Sequence, residues 1–547
     1  MDWRIRGEPA IGGRQTTTSG LRRVGSTSGL PYSLTKIQSL GVRDNCKFVL
    51  TLHVPPRIFY PMTTAQRGPI IPTAAQSSEG LLARRLGLTS AISVVVGSII
   101  GSGIFLTPQS IAATIQVPGL MILVWVLTGL LTLAGALTNA EIASEITDAG
   151  GQYVYFRVLF GDLIAFLYGW TTFIVYQTGS ISAIAVAFAR YSEYFISLPH
   201  LSPELEAWKL PLIGNIAPLA DIGVKLVAIS AIVLLAVVNY FGVQFGGFVQ
   251  NFFTFMKVGA IAGIIILSFT AGQGSISHFF PLWGVPEGVK LLPAIGVAMI
   301  ATLWSYDGWN SLTFLAGEVK EPQKNIPRAL IFGTIAVIFI YVLTNLAYLY
   351  ILPIGEMARS KLVAADVMER IFQGYGGGIV SLAVMISTFG SVNATSMTTA
   401  RVYFAMARDR LFFRRLGQTH PRYKTPTASL VVQAVWAIVL TLTGTFDQLF
   451  TYVIFAGWIF YALGAAGIFI LRKRSPGTRR AYRVPFYPVV PLLFVIVATW
   501  FVINTLIEQT ADSMVGVLLL VAGIPFYWYW QRSMKRSTGV PDPSVRT

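Results

Sequence analysis

The sequence predicts an all-α polytopic membrane protein with about twelve transmembrane helices, and three observations carry that prediction. Of 547 residues, 54% are hydrophobic and only 12% charged, a balance that a soluble domain of this size cannot solvate. From Thr89 onward, apolar runs of about 20 residues follow one another, each long enough to cross a hydrocarbon core about 30 Å thick. Two of these runs, the first and the sixth, are interrupted where a membrane helix is ordinarily most regular, at GSIIGSGIF (97–105) and WSYDGWN (304–310).

Residues 1–85 are rich in Arg, Gly, Ser, Thr and Pro, with only short apolar pieces such as KFVLTLHV. They read as a disordered N-terminal extension with no signal-peptide core, and Met62 is an alternative start. The expected spans centre near Ile100, Val126, Thr172, Val233, Ile261, Leu303, Ile340, Thr388, Val435, Ile459, Val495 and Leu520. Residues 86–531 thus form the membrane domain, and 532–547 a tail.

Lys plus Arg number 41 against 24 Asp plus Glu, a net charge of +17. In a soluble chain that excess raises the question of nucleic acid; here it falls on alternate loops. One set holds Lys320, Lys324 and Arg328, then Arg408 to Lys424, then Arg472 to Arg483, while the other holds chiefly Lys209, Lys290, Arg359, Lys361 and Arg370. With the basic LLARRLG ahead of the first span, the asymmetry predicts both termini in the cytoplasm and membrane lipid, not nucleic acid, as the charged partner.

The two interrupted spans stand five apart. Paired breaks in corresponding helices of two five-span halves point to an inverted-repeat transporter with its substrate site at the midplane. The repeats are expected over about 89–272 and 291–472, with spans 11 and 12 (about 485–531) outside them. No sequence identity between the halves supports the symmetry; it rests on hydropathy and the two breaks.

A helix unwinds in hydrocarbon only where something else satisfies its backbone groups. Gly101, Ser102 and Gly103 remove side-chain bulk and leave N–H groups at the positive start of a half-helix, where a carboxylate fits. Carbonyls near Ile99 and Ile100, with those of Trp304 and Asp307, present the negative pole that an ammonium needs. An α-amino acid carries both charges. The competing reading of the glycines is close helix packing, which the second break weakens.

The single cysteine, Cys46, permits no intrachain disulfide and no thiolate zinc cluster. His53, His200, His278 and His420 are scattered, and no metal site or cofactor is expected. There is no P-loop, no HExxH and no GxSxG on a strand-turn-helix, so the chain does not read as an enzyme.

GLTSAISVVVGSIIGSGIFLTP, NAEIASEITDAGGQYVYF, VQNFFTFMKVGAIAGIIIL, LWSYDGWNSLTFLAGEVKEPQKNIPRAL, LTNLAYLYIL and FGSVNATSMTTARVYFAMARD follow in this order. Together they resemble the L-type amino acid transporter (LAT) family of the amino acid, polyamine and organocation (APC) superfamily, over about Gly87 to Arg532. The resemblance implies the leucine-transporter fold, alternating access and a plasma-membrane location. It places the substrate carboxylate on the amides of Ser102 and Gly103, within a site also containing Gly101, Ile100, Ser305 and Asn310. The amino group goes to the carbonyls of Ile99, Trp304 and Asp307. Trp304 stands where the family has an aromatic gate, although a Trp in a span is otherwise packing or an interface anchor, and Tyr306 is a second-tier candidate.

Lys257 lies within the fifth apolar run, where a lysine costs about 2.5 to 3.5 kcal/mol without a partner. Snorkelling from a helix end is one reading. The resemblance implies another, in which the ammonium occupies the place of a sodium ion between the first and eighth spans, near Gly97, Ser98 and the Ser396–Thr399 run. Sodium-independent exchange of neutral L-amino acids is then expected. Proton coupling, or a cationic amino acid or polyamine substrate should the Asp307 carboxylate face the site, is the alternative. Family likeness draws the side-chain pocket from Thr178, Ser182, Asn393, Gly457 and Trp458. Residues 192–220 hold no cysteine, so the chain resembles a standalone bacterial-type member without a disulfide-linked heavy chain. Glu318 and Arg401, with Glu141, Glu145, Asp148 and Arg157, read first as solvated loop charge and second as an inner gate.

Overall fold

A computed structural model describes residues 82–209, 217–284, 290–443 and 446–538. The N-terminal extension to residue 81, the alternative start at Met62, Cys46, His53 and the end of the tail lie outside the described residues.

Among the described residues eleven helices are long and apolar enough to cross a membrane: Leu88–Ile115, Pro118–Glu145, Asp162–Ser192, Ile222–Tyr240, Val243–Thr270, Leu291–Glu318, Pro322–Ile351, Gly376–Arg408, Ile454–Arg474, Val489–Glu508 and Ser513–Ser533. A shorter apolar helix, Thr427–Thr443, stands ninth in order. Its 17 residues extend about 25 Å, near the lower limit for a span. With it the order is twelve spans, numbered 1 to 12 here, and each expected centre falls inside its span. The last helix continues to Thr538, beyond the boundary expected at Arg532.

Local chemistry sets several boundaries. Pro118 and Pro322 occupy the first turns of spans 2 and 7, where the missing N–H costs nothing and φ is already helical. The first halves of spans 1 and 6 are apolar on almost every face, and Val94 to Ile99 and Ala298 to Tyr306 are buried. A helix apolar all round belongs in the middle of a bundle rather than at its lipid rim. Span 7 packs on spans 1, 2 and 5, span 5 packs directly on span 1, and span 8 packs on spans 3, 5 and 1. Span 5 is two-faced: Gln250, Thr254 and Lys257 are buried, while Phe248, Phe252 and Phe255 are exposed.

The end of the bundle where spans 1 and 3 begin and spans 6 and 8 finish carries the basic loops and is called the basic end. Here three of the charged residues expected to be solvated, Glu141, Glu318 and Arg401, are buried instead. Arg401 Nε lies 2.7 Å from Glu318 Oε1, with neither side chain more than 1% exposed. Glu141 is fully buried and receives Arg472 Nη2 at 2.7 Å and the Val484 amide at 2.7 Å, with Arg480 Nε in an ion-pair contact at 3.4 Å. The reason is compensation: each carboxylate gains several charge-assisted donors, without which burial is prohibitive. Asp148 is exposed and Glu145 half-buried. Arg157 pairs with Asp162, the first residue of span 3, and with Asp409, just past span 8, where burial pushes the Asp409 carboxyl above its usual range against the opposing pull of Arg157. A parallel bridge between Leu86 and Val319 ties the entry of span 1 to the end of span 6, with Leu86 N donating to Glu318 O at 3.0 Å and Lys320 N to Leu86 O at 2.8 Å.

Candidate substrate site

Both interrupted stretches are broken helices. Span 1 is helical over Leu88–Ile99, turns extended at Ile100 (φ −73°, ψ 95°) and resumes over Gly103–Ile115. Span 6 is helical over Leu291–Tyr306, extended at Asp307 (φ −64°, ψ 158°), and continues after Asn310 as a 3₁₀ helix, Ser311–Glu318. The two breaks face each other. A Cβ on Gly103 would lie 2.7 Å from the Ser305 Cα, and one on Gly308 2.8 Å from the Ser98 carbonyl oxygen. Gly308 also has φ +93°, a conformation that a side chain disfavours.

The amides at the start of a helix have no partner within it, and Ser102, at the N-cap of Gly103–Ile115, makes no side-chain cap bond. Its Oγ is buried without a partner, as are Ser98 Oγ and Asn310 Nδ2. This pole of the site is rich in donors. At the break in span 6 the Asp307 carboxylate receives the Tyr461 hydroxyl at 2.7 Å and the Tyr176 hydroxyl at 3.1 Å. The two hydroxyls are themselves 2.5 Å apart, and Tyr461 also donates toward Asn310 Oδ1 at 3.2 Å.

A small cavity of about 30 Å³ sits between the poles, lined by Ile99, Gly101, Ser102, Gly103, Trp304 and Asp307, with Gln177, Ser180 and Thr395 among the others. A second, of about 590 Å³, opens toward the end opposite the basic one and is lined by Thr107, Arg190, Tyr191, Glu193, Trp304 and Lys361 among others. Trp304 lines both.

Lys257 is fully buried, and its ammonium donates to Ile100 O at 2.6 Å, Gly97 O at 3.0 Å and Ser391 Oγ at 2.9 Å. These are the carbonyls released where span 1 unwinds, so the lysine is neither at a helix end nor snorkelling. The span 8 partner is Ser391, aided by Ser387, whose Oγ donates to Gly101 O at 2.9 Å; the expected Ser396–Thr399 run lies further along the helix, where Thr399 bonds Gln433.

Several expected contributors are placed elsewhere. The Ile100 carbonyl is taken by Lys257 and Ser391, so it faces span 8 and not the cavity. Ser305 braces the breaks from behind, its Oγ 2.8 Å from Thr107 Oγ1. Asn310 reaches Tyr461 without lining the cavity. Thr178 back-bonds to Phe173 O, Ser182 to Thr441, and Asn393 to Gln250 and Gly246. Trp458 stacks on Phe494, and Gly457 admits the Tyr176 ring. Those five form packing and polar seams behind the site because their helices turn them away from it. Tyr306 likewise bonds the Trp125 carbonyl.

Sequence reasoning missed Tyr176, Tyr461 and Tyr341. Tyr341 points its hydroxyl at Ile99 O (3.0 Å) and Ser305 O (2.9 Å), bridging the carbonyls of both breaks. Tyr176 ends a single π-helical turn, Thr172–Tyr176, a distortion common beside functional sites with no residue pattern that announces it.

Among the described residues one histidine group, His200, Glu206 and Asp221, brings possible ligand atoms within 4.8 Å of each other; it is half-exposed, with Asp221 3.9 Å from Arg190.

The amino acid permease family model matches residues 86–524. The chain is 35% identical to the serine/threonine exchanger SteT of Bacillus subtilis (strain 168) over 82% of this chain and 97% of that protein. It is 32% identical to the human b(0,+)-type amino acid transporter 1, over 82% and 88%, and 32% identical to the mouse large neutral amino acids transporter small subunit 2, over 85% of each. A bundle of membrane helices broken twice at its centre, matched along four-fifths of its length by amino acid permeases, belongs to the amino acid permease family of the APC superfamily: the chain is a multi-pass transporter of amino acids with the leucine-transporter-like fold of that family, and not an enzyme.

Proposed function

We propose that the protein is a sodium-independent exchanger of neutral L-amino acids, working by alternating access in the plasma membrane with both termini cytoplasmic. The observation that carries this reading is the buried ammonium of Lys257, bonded to Gly97 O, Ile100 O and Ser391 Oγ. A fixed cation on the carbonyls of the first break does the work of a bound sodium ion, and leaves no need for a gradient of one.

The substrate carboxylate goes to the amides of Ser102 and Gly103, and its ammonium to the carbonyls of Ile99, Trp304 and Asp307. Trp304, lining both cavities, is the gate toward the outside; the Glu318–Arg401 pair and the Leu86–Val319 bridge close the cytoplasmic side. Likeness to a protein named a serine/threonine exchanger supports exchange and small neutral substrates. The loop between spans 3 and 4 holds no cysteine, which supports a chain working without a heavy subunit disulfide-bonded there.

The test is uptake of labelled amino acid into proteoliposomes that are empty, preloaded with unlabelled amino acid, or given a sodium or a proton gradient. Uptake that needs internal amino acid and ignores sodium is expected. Uptake that sodium drives into empty vesicles contradicts the reading.

One observation favours a second reading. The Asp307 carboxylate lines the cavity, and an intramembrane acid wants a cation. Cationic amino acids, or proton coupling through this group, follow from it. Lysine or arginine outcompeting serine and alanine, or uptake driven by pH alone, selects this alternative.

A further inference from the structure

A third cavity, of about 430 Å³, lies at the basic end away from the substrate site, lined by Arg85, Gln244, Phe245, Phe248, Arg422 and Lys424 among others. Three of its side chains are cationic and, among the described residues that line it, none is acidic. Three separate segments supply it: the entry to span 1, the start of span 5 and the loop after span 8. Arg85 Nη1 donates to Gln244 Oε1 at 2.7 Å, which steadies one wall. The loop is fastened by Lys424 N to His420 O (2.9 Å), His420 N to Thr425 O (2.8 Å) and Thr425 Oγ1 to Tyr240 O (2.9 Å). Arg422 lies over the Tyr423 ring at 5.5 Å. The three cationic side chains therefore border one concavity whose loop is held by these bonds.

The apolar side of this cavity continues out of it. Phe245, Phe248, Phe252 and Phe255 on span 5 are exposed, Phe248 at 69% and Phe255 at 65%. At 100° per residue the four fall within about 80° of one another, and from Phe245 to Phe255 they extend about 15 Å along the helix, half the thickness of a hydrocarbon core. Scattered exposed apolar residues are ordinary on a lipid-facing helix. A four-ring aromatic stripe that starts at a cation-lined cavity and ends one leaflet deeper has the shape and polarity of a single lipid: anion at one end, acyl chain along the other.

We propose that this cavity is a binding site for an anionic phospholipid, its phosphate among Arg85, Arg422 and Lys424 and its acyl chain along the phenylalanine stripe of span 5. A phosphate there links the entry of span 1 to span 5 and to the loop after span 8, and so bears on the half-helix that carries the first break. The proposal is independent of which amino acid is transported.

The test is native mass spectrometry of the full-length chain in detergent, titrated with phosphatidylglycerol or phosphatidylcholine of matched acyl chains. Preferential retention of phosphatidylglycerol is expected. R422Q/K424Q weakens that binding by about 30-fold, from two neutralised near-surface cations, whereas K473Q/R479Q, removing equal charge from the same end, leaves it unchanged. Phe248→Ala weakens lipid of either headgroup. Glycerol 3-phosphate at the same concentration does not displace the lipid. Equal retention of the two lipids, equal loss in the two double variants, or displacement by glycerol 3-phosphate overturns the proposal; the last identifies a free-phosphate site instead. Should R422Q/K424Q fail to elute as a monodisperse species, Arg85→Gln carries the same comparison.

Discussion

The two broken helices solve one problem in opposite ways. In span 1 the carbonyls set free at Gly97 and Ile100 are consumed by the Lys257 ammonium and the Ser391 hydroxyl, so what the break leaves over is donors, the amides of its second half-helix. In span 6 an acid is built into the break, and two tyrosine hydroxyls hold it. One break is left with positive character and the other with negative. The difference teaches that a broken helix in hydrocarbon can be satisfied either by a cation brought to its carbonyls or by an acid held by neutral hydroxyls, and under the proposed function the sides left over face the ligand.

Removing the cation gives the largest effect. Lys257→Ala takes the charged donor from two buried carbonyls and leaves them hydroxyl donors alone, a loss of about 1.5 to 3 kcal/mol per bond from a charged group, so exchange in proteoliposomes is expected to fall by roughly 100-fold or more with protein still recoverable in the membrane. Full transport by that variant breaks the comparison at its first term. Next is contact between the breaks: Gly103→Ala drives a Cβ to 2.7 Å from the Ser305 Cα, and overpacking of about 1 to 3 kcal/mol is expected to cut transport by about tenfold or more while Gly87→Ala, with open space around it, changes nothing.

Asp307→Asn sharpens the second term. It keeps the shape and the tyrosine contacts but removes the charge, so competition assays are expected to show neutral substrates retained within several-fold and any affinity for lysine or arginine lost. Unchanged cationic affinity would move the negative pole to backbone carbonyls alone. The smallest change is expected from Tyr461→Phe, which takes one hydroxyl from the carboxylate, a bond to a charged group worth about 1.5 to 3 kcal/mol, partly replaced by Tyr176; the measured rise in KM should exceed that of Ser182→Ala, whose hydroxyl bonds Thr441 behind the site.

How much of this was legible in the sequence follows the kind of physics involved. Hydropathy is additive along the chain, so the twelve spans and the breaks at Ile100 and Asp307 could be read from composition and glycine placement. The direction in which a helix turns its side chains depends on packing, and there the reading fails: Asn393 and Ser182 are polar residues in the right helices, yet they bond Gln250 and Thr441 on other faces. Buried polar pairs were misjudged for the same reason. Glu318 and Arg401 are 83 residues apart, and nothing local reveals that they meet. Lys257 was conspicuous as a charge in an apolar run, but its partner Ser391 was not, because a serine costs little in a helix and leaves no mark on hydropathy.

The central claim, that the two breaks hold the two charges common to amino acids, is tested most directly by counterflow in proteoliposomes with one good neutral substrate, its methyl ester and its N-acetyl derivative. The ester has lost the carboxylate that the proposal assigns to the Ser102 and Gly103 amides, and the acetylated form the ammonium that it assigns to the pole at Asp307. The account predicts that each analogue competes at least about 100-fold more weakly than the parent, the loss of about 3 kcal/mol at one pole. Competition by either analogue at the parent's own strength would contradict it.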